Sequence, residues 1–251
     1  MPDGIVWINL TDYTPMQLFF CWLGCFLWII AYWIYIRNII RLKYVEMPVF
    51  AGCLDVGWEF TWSFFQQSDM GMLIQGANYL WFAMDAGFIF SVGVLLHGPK
   101  QLTIPHLQRR SIFIPACLFV AAFSALVSYQ MRAQGLDNGI GSRSAYLIQL
   151  CISFLYLMLM LRQPDLRNFS YAANWCRSLG SALVVVFFYM KWPEDRFLCT
   201  IGTVAAMVDA TFLAVFAMRR RQLAAAAEPV TAPGWQAPLA QQPGPASSAL
   251  P

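Results

Sequence analysis

Four acidic side chains fall inside runs of apolar residues: Asp55 and Glu59 in one run, Asp85 in the next, and Asp209 in the last. An ionisable group at the centre of a bilayer costs at least ~2.5–3.5 kcal/mol, so one that is kept there usually has work to do. Asp55 and Glu59 are four apart and share one helical face, continued by Trp62 and Gln66. Asp85 shares a row with Asn78, Trp81 and Phe88. Asp209 shares one with Gly202, Ala205 and Phe212, where two small residues let a helix or a ligand come close. A further run adds Tyr146, Gln149, Ser153 and Tyr156. Counting ~1.5 Å per residue places Glu59, Asp85 and Asp209 roughly 9–18 Å below one face, broadly in one layer. These rows predict a cavity with an acidic floor and aromatic walls. Trp58, Trp62, Asn78, Trp81, Phe88, Gln149, Tyr156 and Phe212 are its candidate substrate-binding residues, and Glu59, Asp209, Asp85 and Asp55 its candidate acids. The plainer reading of each acid is a neutral carboxyl hydrogen-bonded to the next helix.

Several chemistries drop out by residue type. No apolar run contains lysine, so a retinal Schiff base is not available. The two histidines, His97 and His106, lie in or beside one loop, which argues against haem or catalytic zinc. No DDxxD cluster is present to hold a magnesium diphosphate, nor the DxDD signature of the soluble class II cyclases. GxSxG and Gly-rich phosphate loops are also missing. The expectation is therefore no metal and no soluble cofactor. What remains is acid chemistry in a dry cavity. Desolvation favours the protonated form of a carboxyl, and a neighbouring carboxylate favours it further. Such a group can protonate an apolar substrate, aromatic faces can stabilise a carbocation, and excluded water cannot quench it. The same groups suit a proton-coupled transporter equally well.

The elements that must position these residues are membrane helices. The chain has 251 residues, 59% of them apolar and 12% charged, about half the charged share of a soluble domain. Seven runs approach the ~20 residues of a spanning helix: 16–36, 48–65, 77–96, 112–130, 144–161, 175–190 and 197–218. One side of this arrangement carries eleven basic residues, namely Arg37, Arg41, Lys43, Lys100, Arg109, Arg110, Arg162, Arg167, Arg219, Arg220 and Arg221. The other carries Arg132, Arg143, Lys191 and Arg196. The positive-inside rule then puts the N-terminus outside and the C-terminus in the cytoplasm. Arg177 is the one cation inside a run, close enough to its end to snorkel. Asp3 and Asp12 precede the first run without a Lys or Arg, the wrong sign for a cleaved signal peptide. The seven cysteines read as small buried hydrophobes. The expectation is one all-α membrane domain over 1–222 and an Ala/Pro/Gln-rich disordered tail over 223–251. With a net charge of +3 and no basic stripe, nucleic acid is not an expected partner.

Three segments carry a resemblance. Cys53-Leu-Asp-Val-Gly-Trp-Glu-Phe60 resembles the N-x-x-W-E segment on the second helix of the small integral-membrane terpene cyclases. Those enzymes serve fungal meroterpenoid and indole-diterpene pathways and have bacterial relatives. Trp81-Phe-Ala-Met-Asp85 with Gly98-Pro-Lys100 resembles their third helix and following loop, and Met207 to Phe216 their last helix. The resemblance implies a seven-helix fold and a non-metal class II cyclisation in terpenoid secondary metabolism. It implies that Glu59 and Asp209 are the two acids on which activity depends, with Asp85 a further acid. Asp55 departs from the pattern, standing where fungal sequences usually carry asparagine. The implied enzyme, isomerase- or lyase-like, protonates the terminal alkene or epoxide of a prenylated aromatic compound, such as a prenylated indole, and closes rings through carbocations. Its implied partners are that substrate, the bilayer, and an upstream prenyltransferase or epoxidase. Its rivals are a small proton-coupled transporter, which often shows a repeated half that this sequence lacks, and a non-catalytic assembly subunit.

Overall fold

The computed structural model describes residues 6–227, and over them the chain is helical with short connections. The helices are α1 (Pro15–Leu42), α2 (Val49–Phe64), α3 (Met72–Met84), α4 (Arg110–Ala133), α5 (Ser142–Arg162), α6 (Tyr171–Lys191) and α7 (Arg196–Ala227). No strand occurs among the described residues, so the fold is all-α. Six helical stretches are long and apolar enough to cross a membrane. The helix that falls short is α2, whose 16 residues make about 24 Å against a hydrocarbon core of ~30 Å. In the connection before it, Val45, Glu46 and Met47 are buried against the bundle. Helix α7 runs to Ala227, five residues into the expected tail, and residues 228–251 lie outside the described residues.

Large apolar side chains cover the outside as well as the inside. Phe119 and Met207 are 72% and 64% exposed, which suits a surface whose solvent is lipid. Within the bundle α1 lies against α6, α2 against α4, and α5 against α7. Small residues set these approaches. A Cβ on Gly24 would sit 2.7 Å from the Gly180 carbonyl, and one on Gly180 would sit 2.8 Å from that of Gly24. The first helix starts where a capping box predicts: the Thr14 side chain accepts from the Gln17 amide, the Gln17 side chain accepts from the Thr14 amide, and Pro15 opens the first turn.

The third helix changes pitch part-way. After Met84 it continues as a π-helix over Asp85–His97, in which each amide bonds one residue further back than in an α-helix. Its buried positions are Asp85, Ile89, Phe90, Gly93, Val94 and His97, recurring every four or five residues instead of every three or four. The face that α3 turns inward is therefore not the face the π-helix continues.

Glu46 ties the α1–α2 connection to the start of α6. It accepts from the Ser170 amide at 3.0 Å and from the Asn174 side chain while almost wholly buried. Burial pushes its carboxyl up from 4.5 to about 8, against the hydrogen bonds that oppose the shift. A carboxyl more basic in the folded protein than in the unfolded chain contributes its full stability below pH 4.5 and loses it as pH rises through about 8. Thermal unfolding in detergent should accordingly fall in midpoint between pH 5 and 8.5. Glu46→Gln should flatten that fall, and an unchanged slope in the variant would remove Glu46 as its cause.

Candidate active site

Three of the four acids meet. Asp55 and Glu59 reach in from α2 and Asp85 from the start of the π-helix, each giving one carboxylate oxygen to a group whose members all lie within 4.8 Å of one another. The Tyr32 hydroxyl of α1 stands 2.6 Å from Asp55 Oδ2 and 3.1 Å from Glu59 Oε1. Asp85 is fully buried with both oxygens unpartnered, and Glu59 Oε2 has no partner either. Among the described residues the ion pairs are Arg143–Asp195, Arg167–Asp165 and Arg177–Asp209, so no cation neutralises this group. Two unit charges 4.8 Å apart repel by roughly 3–4 kcal/mol at an effective dielectric of ~20. No metal-ligand cluster was legible in the sequence, yet two helices build one with the spacing a divalent cation needs, alongside the alternative of shared protons.

Beside the group runs a narrow cavity of about 140 Å³ between α1, α2, α3, α5 and α6. One face of α1 lines its length through Cys21, Cys25, Trp28, Ala31, Tyr32 and Tyr35. Those fourteen residues of rise make it about 21 Å long. Asp55, Glu59, Trp58, Asn78, Trp81 and Gln149 also line it. The Trp58 ring nitrogen donates to Ser144 Oγ at 2.9 Å, which fixes the ring. The connecting segments near Ser68, Met70 and Ile140, which also line it, are tied together: the Asp69 amide donates to the Gly139 carbonyl, and the Tyr13 hydroxyl donates to Asp69 Oδ1 at 2.6 Å.

The fourth acid lies apart from the other three. Asp209 is held by Arg177, with Nη2 donating to Oδ1 at 3.0 Å and Nη1 to Oδ2 at 3.2 Å. Arg177 is 5% exposed and does not snorkel. Helix α6 starts at Tyr171, one turn before the apolar run read from the sequence, so Arg177 sits well inside the bundle. Its guanidinium lies 4.4 Å from the Tyr156 ring centroid and 5.6 Å from that of Phe212. Tyr156 and Phe212 thus pack against Arg177 instead of lining the cavity. Gln149 Nε2 reaches Asp209 Oδ2 at 3.5 Å, linking this pair to the cavity wall.

Two other expected wall residues are placed differently. Phe88 is 44% exposed on the outer surface, because the change of pitch at Asp85 breaks the α-helical row that joined it to Trp81. Trp62 is fully buried behind Trp58, its ring stacked on that one at 5.9 Å between centroids. Tyr32 and Trp28 are the site residues that sequence reasoning left out, and Arg177 reads there only as a cation near a helix end. The signal for the first two was the row Trp28, Tyr32, Tyr35 at helical spacing, hidden in a run read only for its apolarity.

The family model of the Pyr4-like transmembrane terpene cyclases matches residues 9–222. No curated protein and no solved structure matches the chain.

Proposed function

The chain belongs to the Pyr4-like transmembrane terpene cyclases, and on that premise we propose that it cyclises a prenylated aromatic substrate by protonating the far end of the prenyl chain. The observation that carries this reading is the uncompensated group of Asp55, Glu59 and Asp85 beside an apolar cavity. Three ionised carboxylates at this spacing would repel more strongly than it costs to keep a proton on one of them. The Tyr32 hydroxyl has one proton and two carboxyl neighbours, so the second contact is a hydrogen bond only when a carboxyl donates it. Glu59 lines the cavity and touches Tyr32, and is the donor; Asp85 behind it and Asp55 beside it keep the proton in the group.

In the first step the π electrons of the terminal alkene form a new C–H bond with the acid's proton, leaving a tertiary carbocation and a carboxylate. For an epoxide the proton goes to oxygen and the C–O bond breaks. Inner double bonds then attack in turn, and loss of one proton from carbon returns an alkene, so the product of the alkene route is an isomer of the substrate. Trp58, Trp81 and Trp28 face the path of the positive charge. A slot about 21 Å long and narrow suits an extended chain laid along α1. In this reading the polypeptide passes the bilayer seven times, α2 included, with its N-terminus outside and its C-terminus in the cytoplasm.

A divalent cation in the group is the competing use of the same carboxyls. Each carboxyl brings one oxygen to the cluster, so a hard cation, which takes six or more, would have to complete its shell with waters in an apolar surround. Turnover in isolated membranes should therefore persist in EDTA. Loss of product that magnesium restores would assign the group to metal binding.

A further inference from the structure

The cavity has a second polar group that protonation does not use. A guanidinium carries five N–H donors. Those of Arg177 reach Asp209 twice and Ser178 Oγ once at 3.2 Å, which leaves two, and Nε has no acceptor although it is buried. Arg177 nevertheless lines the same cavity as Asp55 and Glu59. The two rings against it hold the guanidinium plane in place. A buried donor without an acceptor costs about as much as a lost hydrogen bond, so a ligand that supplies one gains that amount on binding.

We propose that Arg177 forms a subsite for a neutral carbonyl-type oxygen on the polar head of the substrate. The charge balance selects the head. Asp209 already neutralises Arg177, so a carboxylate would place a second anion against it in a low dielectric. An N–H donor such as an unsubstituted indole cannot accept from the free N–H groups of Arg177 and leaves them unpaired. A ketone, lactone or ester oxygen meets neither obstacle. The subsite rests on the cyclase reading and narrows its substrate class.

Three probes with one farnesyl chain separate the heads: farnesylacetone, farnesoic acid and 3-farnesylindole. Their binding to the purified full chain in detergent is read by quenching of tryptophan fluorescence, since Trp28, Trp58 and Trp81 line the cavity. The ketone should bind about tenfold or more tighter than the acid or the indole, the scale of one hydrogen bond from a charged donor. In the neutral pair Arg177→Gln/Asp209→Asn that preference should vanish while binding of the indole stays the same. Arg177→Lys, which keeps the charge on Asp209, covers the case in which the pair does not fold, and should lose most of the preference. Equal affinities in the parent, or a preference that survives in a folded variant, would overturn the subsite. Proton uptake into product reads the cyclase reaction separately, so either reading can fail without the other.

Discussion

Glu59→Gln should lower cyclisation by at least ~100-fold at matched protein levels, the usual scale for removing a general acid. Glutamine keeps the length of the side chain and can still hydrogen-bond Tyr32 through its amide group, so folding should be near normal. What it lacks is a proton acidic enough to reach carbon. Asp85→Asn should also cost turnover, because it removes one of the two carboxyls that repel charge on Glu59. Its loss should be smaller, since Asp85 does not line the cavity. Asp55→Asn restores the residue common in the resembling fungal segment and leaves a hydrogen-bonding partner for Tyr32, so it should do least harm. Product formation in membranes carrying each variant decides the order. A Glu59→Gln protein that cyclises at the parental rate would move the proton source to Asp55 or Asp85.

Asp209→Asn should fail differently. Removing the anion leaves the guanidinium of Arg177 buried, 5% exposed and without its bidentate partner. Breaking one side of a buried pair costs ~3–5 kcal/mol, a large part of the stability of a typical domain. Low yield and a lowered unfolding midpoint should therefore accompany the loss of activity, whereas Glu59→Gln should show neither. Removing both charges, as in Arg177→Met/Asp209→Leu, should recover much of the stability, because the pair is replaced by apolar volume. Circular-dichroism melts of the single and double variants in the same detergent make the comparison. A stable Asp209→Asn protein that binds substrate but does not turn over would instead place Asp209 among the proton donors.

The helices and part of the cavity wall were legible because both depend on local pattern. Runs of apolar residues marked each helix, and the four-residue spacing of Asp55 and Glu59 put them on one face before any fold was seen. Asn78, Trp81 and Gln149 lie on such rows and line the cavity. Phe88 does not line it, because a change from α to π pitch leaves no mark in a row counted at a constant period. The grouping of acids was only half legible. Depth along each helix put Asp209 in the same layer as Glu59, but rotation of α7 about its axis decides its partner, and that depends on α6. Arg177 was noticed and misplaced by the one turn of α6 that precedes the apolar run. Tyr32 was missed because a phenol in an apolar helix looks like packing until the carboxyls it faces are known.

The most direct test of the account follows the proton. Protein equilibrated in D2O and given an alkene-ended prenylated aromatic compound in a single turnover should yield a cyclic product carrying one non-exchangeable deuterium. Mass spectrometry and NMR should place it on what was the CH carbon of the terminal double bond, next to the carbon that becomes the tertiary cation, and the amount formed should collapse in Glu59→Gln. A cyclic product from the parent protein with no deuterium at that carbon would contradict initiation by the buried acids.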